Sequence, residues 1–480
     1  MMNSVPKYSF FLFVLFCTCS FSCTHKWDDH VGIADPASQK TLYDVIRAAP
    51  EFSGFMDLVD RSGYAGDLKS SRNFTVIVPT NEAIGEAKTA YDFNDSAVVR
   101  SFVGYHIINS VYNVNEASDT IRAKNLRNKY VEFTHGNFDG VPALKKNIVA
   151  ANGLYHVVGT SLKPLANIYN LVSTTFPATA QVNNVLLMDT TSYQNWLSEI
   201  KRPMTTENSK YTYFVVDDDY FNAEYDRLRP FYHTHYDEAA GAPADSTTSF
   251  FTRKALLRDF IVAGAVTIGD QVTHLVSVSG TAFSIDPADI LSRHKASNGV
   301  VYRVKKQLCS LQDRIREFKV MGNQPSGYKQ SGKSGNIYFR VKKDTLGNLY
   351  NDVEIRGHGV SAFYAKYRAA NANTVTYKVY GRAIMGLTGD PQTDDFTQYV
   401  HFFDPSIESV NEADLYKRPV VNDQGANDVR MPWSVTLLNH DEVYLGEVTQ
   451  NEFGNMRLLV MANGTGPIIL EYLRFVPVIQ

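Results

Sequence analysis

The sequence predicts a multidomain chain in which two α+β modules are followed by an all-β sandwich. Three observations lead there. Helical apolar stripes alternate with short β-rich runs up to about residue 310. That order of elements occurs twice. After about residue 315, apolar residues recur with period two between turn signals. The length of 480 residues fits about three domains. With 44% hydrophobic and 20% charged residues, the composition excludes wholesale disorder, collagen and coiled coil. The 47 basic and 50 acidic residues give a net charge of −3, so nothing marks nucleic acid as a partner.

The first 23 residues read as an address. Lys7 is the only charge before the apolar stretch Phe10 to Cys17, which is too short to span a bilayer. Ser20 and Ser22 precede Cys23 at the −3 and −1 positions, completing a signal peptide over 1–22. A cysteine directly after the cut resembles the lipobox of bacterial lipoproteins, and on that resemblance Cys23 is the acylated residue. An ordinary signal peptide is the alternative, and Cys19 is a weaker lipid site because Phe16 sits three residues before it. Acyl chains at Cys23 would anchor the chain stably, each buried CH2 contributing about 0.8 kcal/mol. Residues 23–40 then form a lipidated tether. Asp28-Asp29 in it resembles the signal that sends Bacteroidota-type lipoproteins to the outer leaflet of the outer membrane; a plain solvated tether is the other reading. Cys309 is the one remaining thiol, expected as a small buried hydrophobe, so no internal disulfide is expected.

In the first module, Leu42, Val45 and Ile46 recur at helical spacing, and Phe52, Phe55, Met56 and Val59 make one apolar helical face. Gly63 is placed to end that helix. Phe74-Thr75-Val76-Ile77-Val78 is a β-rich run stopped by Pro79, and Thr80 can cap a new helix with Glu82 in its first turn. Val98, Val99, Phe102, Val103 and His106 continue as another stripe. Asn152-Gly153 turns into a strand from Leu154 to Val158.

These residues resemble the fasciclin domain. The motif Phe74 to Ile84, the central Tyr105-His106-Ile107-Ile108 and the closing Asn147-Ile148 with Asn152 to Val158, ending at Leu162-Lys163-Pro164, occur in order over about 41–165. The resemblance implies a compact α+β wedge used in adhesion, binding other proteins or extracellular polymers. Tyr155-His156 resembles segments implicated in integrin binding in some animal members, which makes that pair a candidate partner contact.

A divergent copy follows over 169–310. Tyr211 to Phe221 aligns with 74–84, Leu257 to Ile261 with 99–103, and Asn298 to Tyr302 with 152–156. The offset changes from 137 to 158 between the first two, locating an insertion at roughly 222–250. This copy lacks the Pro-Thr of the first motif and the central His. The insertion, with Phe231, Tyr232, His233, His235 and Tyr236, is expected as a floppy surface loop or as the place where this copy touches a partner.

Over 315–480 the runs at Ile337, Phe339 and Val341, at Val375, Tyr377 and Val379, at Val435-Thr436-Leu437, at Val443-Tyr444-Leu445 and at Leu458 to Met461 argue a β-sandwich. The last strand, Ile469 to Pro477, resembles the final strand of jelly-roll carbohydrate-binding modules. The full expectation is therefore two α+β fasciclin-like domains, 41–168 and 169–310, followed by an all-β jelly-roll-like sandwich.

Candidate chemistry is sparse. Gly327 to Ser334 matches the phosphate-loop pattern, but Pro325 precedes it and a strand follows it, so a hairpin or inter-strand loop is expected. His233-Thr234-His235 with Asp237 or Glu238 falls short of a zinc shell. Asp217-Asp218-Asp219 lacks the alternating ligands of a calcium loop and reads as a solvated helix start. His106 reads as a hydrogen-bonded core histidine. No HExxH or GxSxG occurs. Tyr416 and Trp433, in a turn-rich segment, are candidates for stacking on a sugar or a protein partner, with core packing of Trp433 as the alternative.

The expectation is a non-catalytic lipoprotein displayed on the cell outer membrane, with no cofactor, metal or nucleotide. Its partners are the membrane, through the lipid anchor, and an extracellular glycan or protein. A structural subunit of an outer-membrane assembly and a polysaccharide-acting enzyme are the other readings.

Overall fold

Apolar spacing, caps and a buried turn build the first unit of the chain. The structure is a computed structural model that describes residues 39–114, 120–190, 194–234, 246–403 and 429–479. The chain divides into two units, one ending at Ala166 and one starting at Asn167. The signal peptide, Cys23, Tyr416, His235, Asp237 and Glu238 lie outside the described residues.

In the first unit, helix Leu42–Arg47 starts at Thr41, whose Oγ1 accepts from the Asp44 amide (3.3 Å). Helix Ser53–Ser62 buries Phe55, Met56, Leu58 and Val59, and stops at Gly63 in the left-handed region (φ 83°). A short helix, Ala65–Lys69, leads to strand β1 (Phe74–Pro79). Thr80 Oγ1 caps helix Asn81–Ala87, and Asp95 caps helix Ser96–Tyr105. Six strands follow: β2 (Ile107–Ile108), β3 (Ile121–Lys124), β4 (Tyr130–Thr134), β5 (Asn137–Phe138), β6 (Val141–Ala150) and β7 (Gly153–Val158). They form one sheet in the order β2-β1-β7-β6-β5-β4-β3, with β1 and β7 parallel. Every residue of β1 is buried, because apolar clusters cover both of its faces. Its sequence is accordingly apolar at every position but Thr75, whose hydroxyl donates to the Ser110 carbonyl (2.8 Å), rather than alternating.

The turn before β7 ties the sheet to the helices. Asn152 Oδ1 accepts from the Leu42 amide (2.7 Å), and its Nδ2 donates to the carbonyls of Leu68 (2.9 Å) and Ser70 (2.6 Å). Gly153 has φ 140°, and a Cβ there would lie 2.0 Å from the Phe74 carbonyl oxygen.

The second unit opens with helices Ile168–Thr175, Ala180–Thr190 and Gln194–Thr205, then β8 (Tyr211–Val215), helices Asp218–Leu228 and Ser246–Asp259, and β9 (Ile261–Ala263). A hairpin β10 (Thr273–Val276) and β11 (Ala282–Ile285) precedes β12 (Ile290–Ala296) and β13 (Gly299–Val304). The sheet order β12-β13-β8-β9 reproduces β6-β7-β1-β2, including the parallel central pair. The turn is reproduced as well. Asn298 Oδ1 accepts from the Ile168 amide (2.8 Å), and Nδ2 donates to the carbonyls of Pro203 (3.2 Å) and Met204 (3.0 Å). Gly299 has φ 152°, and a Cβ there would meet the Tyr211 carbonyl oxygen at 1.8 Å.

A short helix, Leu311–Arg314, leads into strands β14 (Phe318–Met321), β15 (Gly327–Tyr328), β16 (Ile337–Lys343), β17 (Leu349–Ile355), β18 (Tyr364–Ala372), β19 (Thr376–Arg382), β20 (Phe396–Phe403), β21 (Arg430–Val435), β22 (Val443–Thr449), β23 (Gly454–Ala462), β24 (Ile468–Leu470) and β25 (Tyr472–Pro477). A five-stranded sheet, β15-β18-β23-β20-β21, shares one apolar core with the sheets β14-β25-β19-β22 and β16-β17-β24. Between β15 and β16, Ser331–Asn336 is a 3-10 turn, so no helix N-terminus follows the phosphate-loop pattern.

Five expectations need correction. The run from Ile469 to Pro477 is not one strand. It breaks at Glu471, whose buried carboxylate pairs with Arg382 Nη1 (2.7 Å), and the two halves enter different sheets. Trp433 presents no stacking face. It is 1% exposed, points into the core with Met431 and Val435, and lies against Gly381. The strand carrying it ends at Val435, and Thr436-Leu437 lies in the turn beyond. Cys309 is half-buried rather than buried, and desolvation pushes its thiol up to about 12, which keeps it protonated and unreactive.

The insertion is the fifth. Its described part is not a floppy loop. The Phe231 carbonyl accepts from the Thr374 amide (2.9 Å) and Asn373 Nδ2 (3.2 Å). The His233 carbonyl accepts from the Phe453 amide (2.7 Å) and Thr374 Oγ1 (3.2 Å). The Tyr232 and Phe251 rings sit 4.8 and 4.9 Å from that of Phe453. The insertion thus fastens the helical part of the second unit to its sandwich.

Candidate functional site

Behind this seam lies a cleft of about 360 Å³, within the size range of small-ligand sites. One wall is aromatic, from Tyr232, Phe251, Phe318 and Phe453; the other is polar, from Arg258, Asp259, Arg314, Arg316 and Asn373. Local sequence explains how the polar wall is placed. Ser310 and Asp313 form a capping box that starts helix Leu311–Arg314 and brings Arg314 inward. Arg314 pairs with Glu224 on helix Asp218–Leu228 and, through Nε, with Asp259 Oδ2 (3.0 Å). Ser279 Oγ donates to Asp259 Oδ1 (2.5 Å). Arg316 donates to the carbonyls of Gly280 (2.9 Å) and Ser279 (2.8 Å).

Both carboxylates at the cleft are already committed. Asp259 is held by Arg314 and Ser279, and Glu317 by Arg474 (2.9 Å). What remains is a wall of rings beside fixed hydrogen-bonding groups, an arrangement able to orient a polar ligand, and burial raises the Asp259 carboxyl to about 6. Among the described residues, no cluster of three or more His, Cys, Asp or Glu is arranged to hold a metal ion.

The two residues singled out in the first unit are interior ones. Tyr155 is 7% and His156 0% exposed, because β7 is covered on both faces. His156 Nδ1 accepts from the Asn147 amide (3.2 Å) and Nε2 donates to the Tyr112 carbonyl (3.3 Å). His106 donates from Nδ1 to the Phe102 carbonyl (2.8 Å) and accepts at Nε2 from the Leu162 amide (3.0 Å). A partner therefore cannot reach Tyr155-His156 without opening the sheet. Burial lowers both histidines to about 4. The unfolded chain, with histidines near 6.5, binds the extra protons. Stability of this unit should therefore fall as pH drops from about 6.5 to 4, by roughly 3 kcal/mol per histidine. Hydrogen exchange of residues 42–158 across that range measures it, and His106→Gln should flatten the slope by about half.

The cleft was not legible from sequence. Its residues come from six separated segments, and the one available signal was the aromatic pair Phe231-Tyr232 in the insertion.

Residues 50–164 match the family model of the fasciclin domain. They form a fasciclin domain. Transforming growth factor-beta-induced protein ig-h3 of Sus scrofa is 25% identical over 136 residues, 26% of this chain and 20% of that protein. The match thus spans about a fifth of the relative's length. Among solved structures, a FAS1 domain pair from the insect cell adhesion molecule fasciclin I is 14% identical, covering 57% of this chain and 97% of that one, with a TM-score of 0.21. A family 35 carbohydrate-binding module from Clostridium thermocellum is 14% identical, covering 34% of this chain and 99% of that one, with a TM-score of 0.21. The fasciclin domain accounts for the first unit, and its buried His106, Asn152 and His156 are part of its internal hydrogen bonding.

Proposed function

We propose that the protein is a non-catalytic, lipid-anchored protein of the outer membrane that faces outward and binds an extracellular glycan or protein partner. The observation that carries this is the fasciclin domain at 50–164, a module whose relatives include a cell adhesion molecule. Cys23 after a signal peptide supplies the anchor. Among the described residues no helix is long and apolar enough to cross a membrane.

Residues 169–310 are a divergent second fasciclin-like copy in this reading. The shared strand order and the equivalent Asn298-Gly299 turn support it. Residues 315–480 are a sandwich that presents the ligand, and the ring-lined cleft beneath the insertion supports a polar ligand such as a sugar. The decisive experiment is binding of the mature chain to a glycan array and to extracellular matrix proteins. Binding on either, with no oligosaccharide released, is the expected result; turnover of a polysaccharide would replace this reading with an enzymatic one. Acyl labelling in cells should disappear in Cys23→Ala, and its persistence would remove the anchor.

A further inference from the structure

The charges lining the cleft are not balanced. Lys254, Arg258, Arg314 and Arg316 stand there against Asp259 and Glu317. Most of them have partners. Lys254 and Arg258 share Glu199 (3.2 and 2.9 Å), Arg314 takes Glu224 and Asp259, and Glu317 goes to Arg474 outside the cleft. Arg316 is the exception. It is exposed, and no carboxylate among the described residues lies within ion-pair distance of it.

The chain nevertheless fixes this guanidinium in place. It donates to the carbonyls of Ser279 (2.8 Å) and Gly280 (2.9 Å), in the turn between β10 and β11, and so uses two of the five N–H groups a guanidinium carries. Gly280 permits the contact, because a Cβ there would stand 2.7 Å from Arg316 Nη1. A second part of the lining is prepared on β18. Its ladder with β23 breaks between Ala369 and Ala372, and Asn371, at that break with φ 58°, lines the cleft. Breaks of this kind re-aim a side chain. The exposed Asn371 amide offers both a donor and an acceptor to hydroxyl groups. Beside these polar groups, the half-buried rings of Phe318 and Phe453 line the same space.

We infer that the cleft seats a uronic-acid sugar, with its carboxylate on Arg316, its hydroxyls on Asn371 and its ring against Phe318 and Phe453. The inference rests on the glycan form of the function proposed above and names the ligand class and its contacts. One unpaired guanidinium calls for one negative charge, and its planar fork suits a carboxylate. A phosphate ester carries about 1.5 to 2 negative charges at pH 7 and would set the excess against Asp259 and Glu317. Asp259, paired with Arg314 deeper in the wall, also repels a carboxylate and keeps it on Arg316. A guanidinium already held by two carbonyls loses little freedom on binding, so more of the contact appears as affinity. The volume of about 360 Å³ suits one sugar or the end of a short chain rather than the middle of a polymer.

The test is calorimetric titration of the full mature chain with the methyl glycosides of galacturonate and glucuronate, the neutral amides of both, and galactose 6-sulfate. At least one uronate should bind, about ten-fold or more tightly than its amide, the difference one charge-assisted hydrogen bond makes. Arg316→Gln should erase that preference in a chain that circular dichroism shows to be folded. The comparison of acid with amide on the unaltered chain stands even where the variant fails to fold. Equal binding of acid and amide, or an undiminished preference in folded Arg316→Gln, would overturn the inference. Both uronates ignored would overturn it too; a neutral glycan bound on the array would then leave glycan capture standing, and a silent array would remove both. The sulfate ester bound more tightly than either uronate, and lost in Arg316→Gln, would overturn the carboxylate assignment.

Discussion

Asn152→Ala should cost the first unit about 3–5 kcal/mol, because one side chain holds three main-chain groups of two separate elements. Alanine leaves the Leu42 amide and the Leu68 and Ser70 carbonyls without partners at a site that is 3% exposed. Asn152→Asp keeps the acceptor for Leu42 but loses both donors, and sets a carboxylate against two carbonyl oxygens, so it should be no milder. Denaturant unfolding read by hydrogen exchange of residues 42–158 measures the loss. Asn298→Ala provides the matched experiment in the second unit, where the same three bonds recur. A comparable loss there supports a shared ancestry of the two turns. A neutral Asn298→Ala beside a costly Asn152→Ala would show that the resemblance is geometric only.

Trp433→Ala should destabilise the sandwich by about 3–5 kcal/mol, the usual cost of deleting a large buried aromatic. The indole is enclosed between β21 and β19, and Gly381 leaves room for it: a Cβ at 381 would come within 2.7–2.9 Å of ring atoms. Gly381→Ala should therefore also destabilise, by about 1–3 kcal/mol through overpacking. Thermal melting of the two variants checks both numbers. Any ligand bound by the sandwich should be lost in Trp433→Ala only in proportion to the unfolded fraction. Loss of affinity at full folding would place the indole at the ligand after all.

These two cases also show where the sequence was legible. The first unit could be read because its signals are local. Phe55, Met56 and Val59 lie on one helical turn, Thr80 caps the helix that follows it, and Asn152-Gly153 is adjacent in sequence. Trp433 was harder to place. Its segment is rich in turn formers, and its burial depends on Gly381 fifty-two positions away by number, a pairing that periodicity cannot express. The break at Glu471 was hidden for a similar reason: apolar residues flank it on both sides, and only the distant Arg382 makes a buried glutamate tolerable. The cleft is the extreme case. It arises where the insertion meets Asn373, Thr374 and Phe453, so no window of sequence contains it.

The seam formed by the carbonyls of Phe231 and His233 also bears on how the second unit carries tension. In the surface-binding role proposed above, a moving ligand would pull on the sandwich. That pull would enter the preceding helical part through the covalent link over residues 305–317 and through the seam, with its four hydrogen bonds to Asn373, Thr374 and Phe453 and its rings against Phe453. With the load shared, the seam would have to open before the link alone carried the pull.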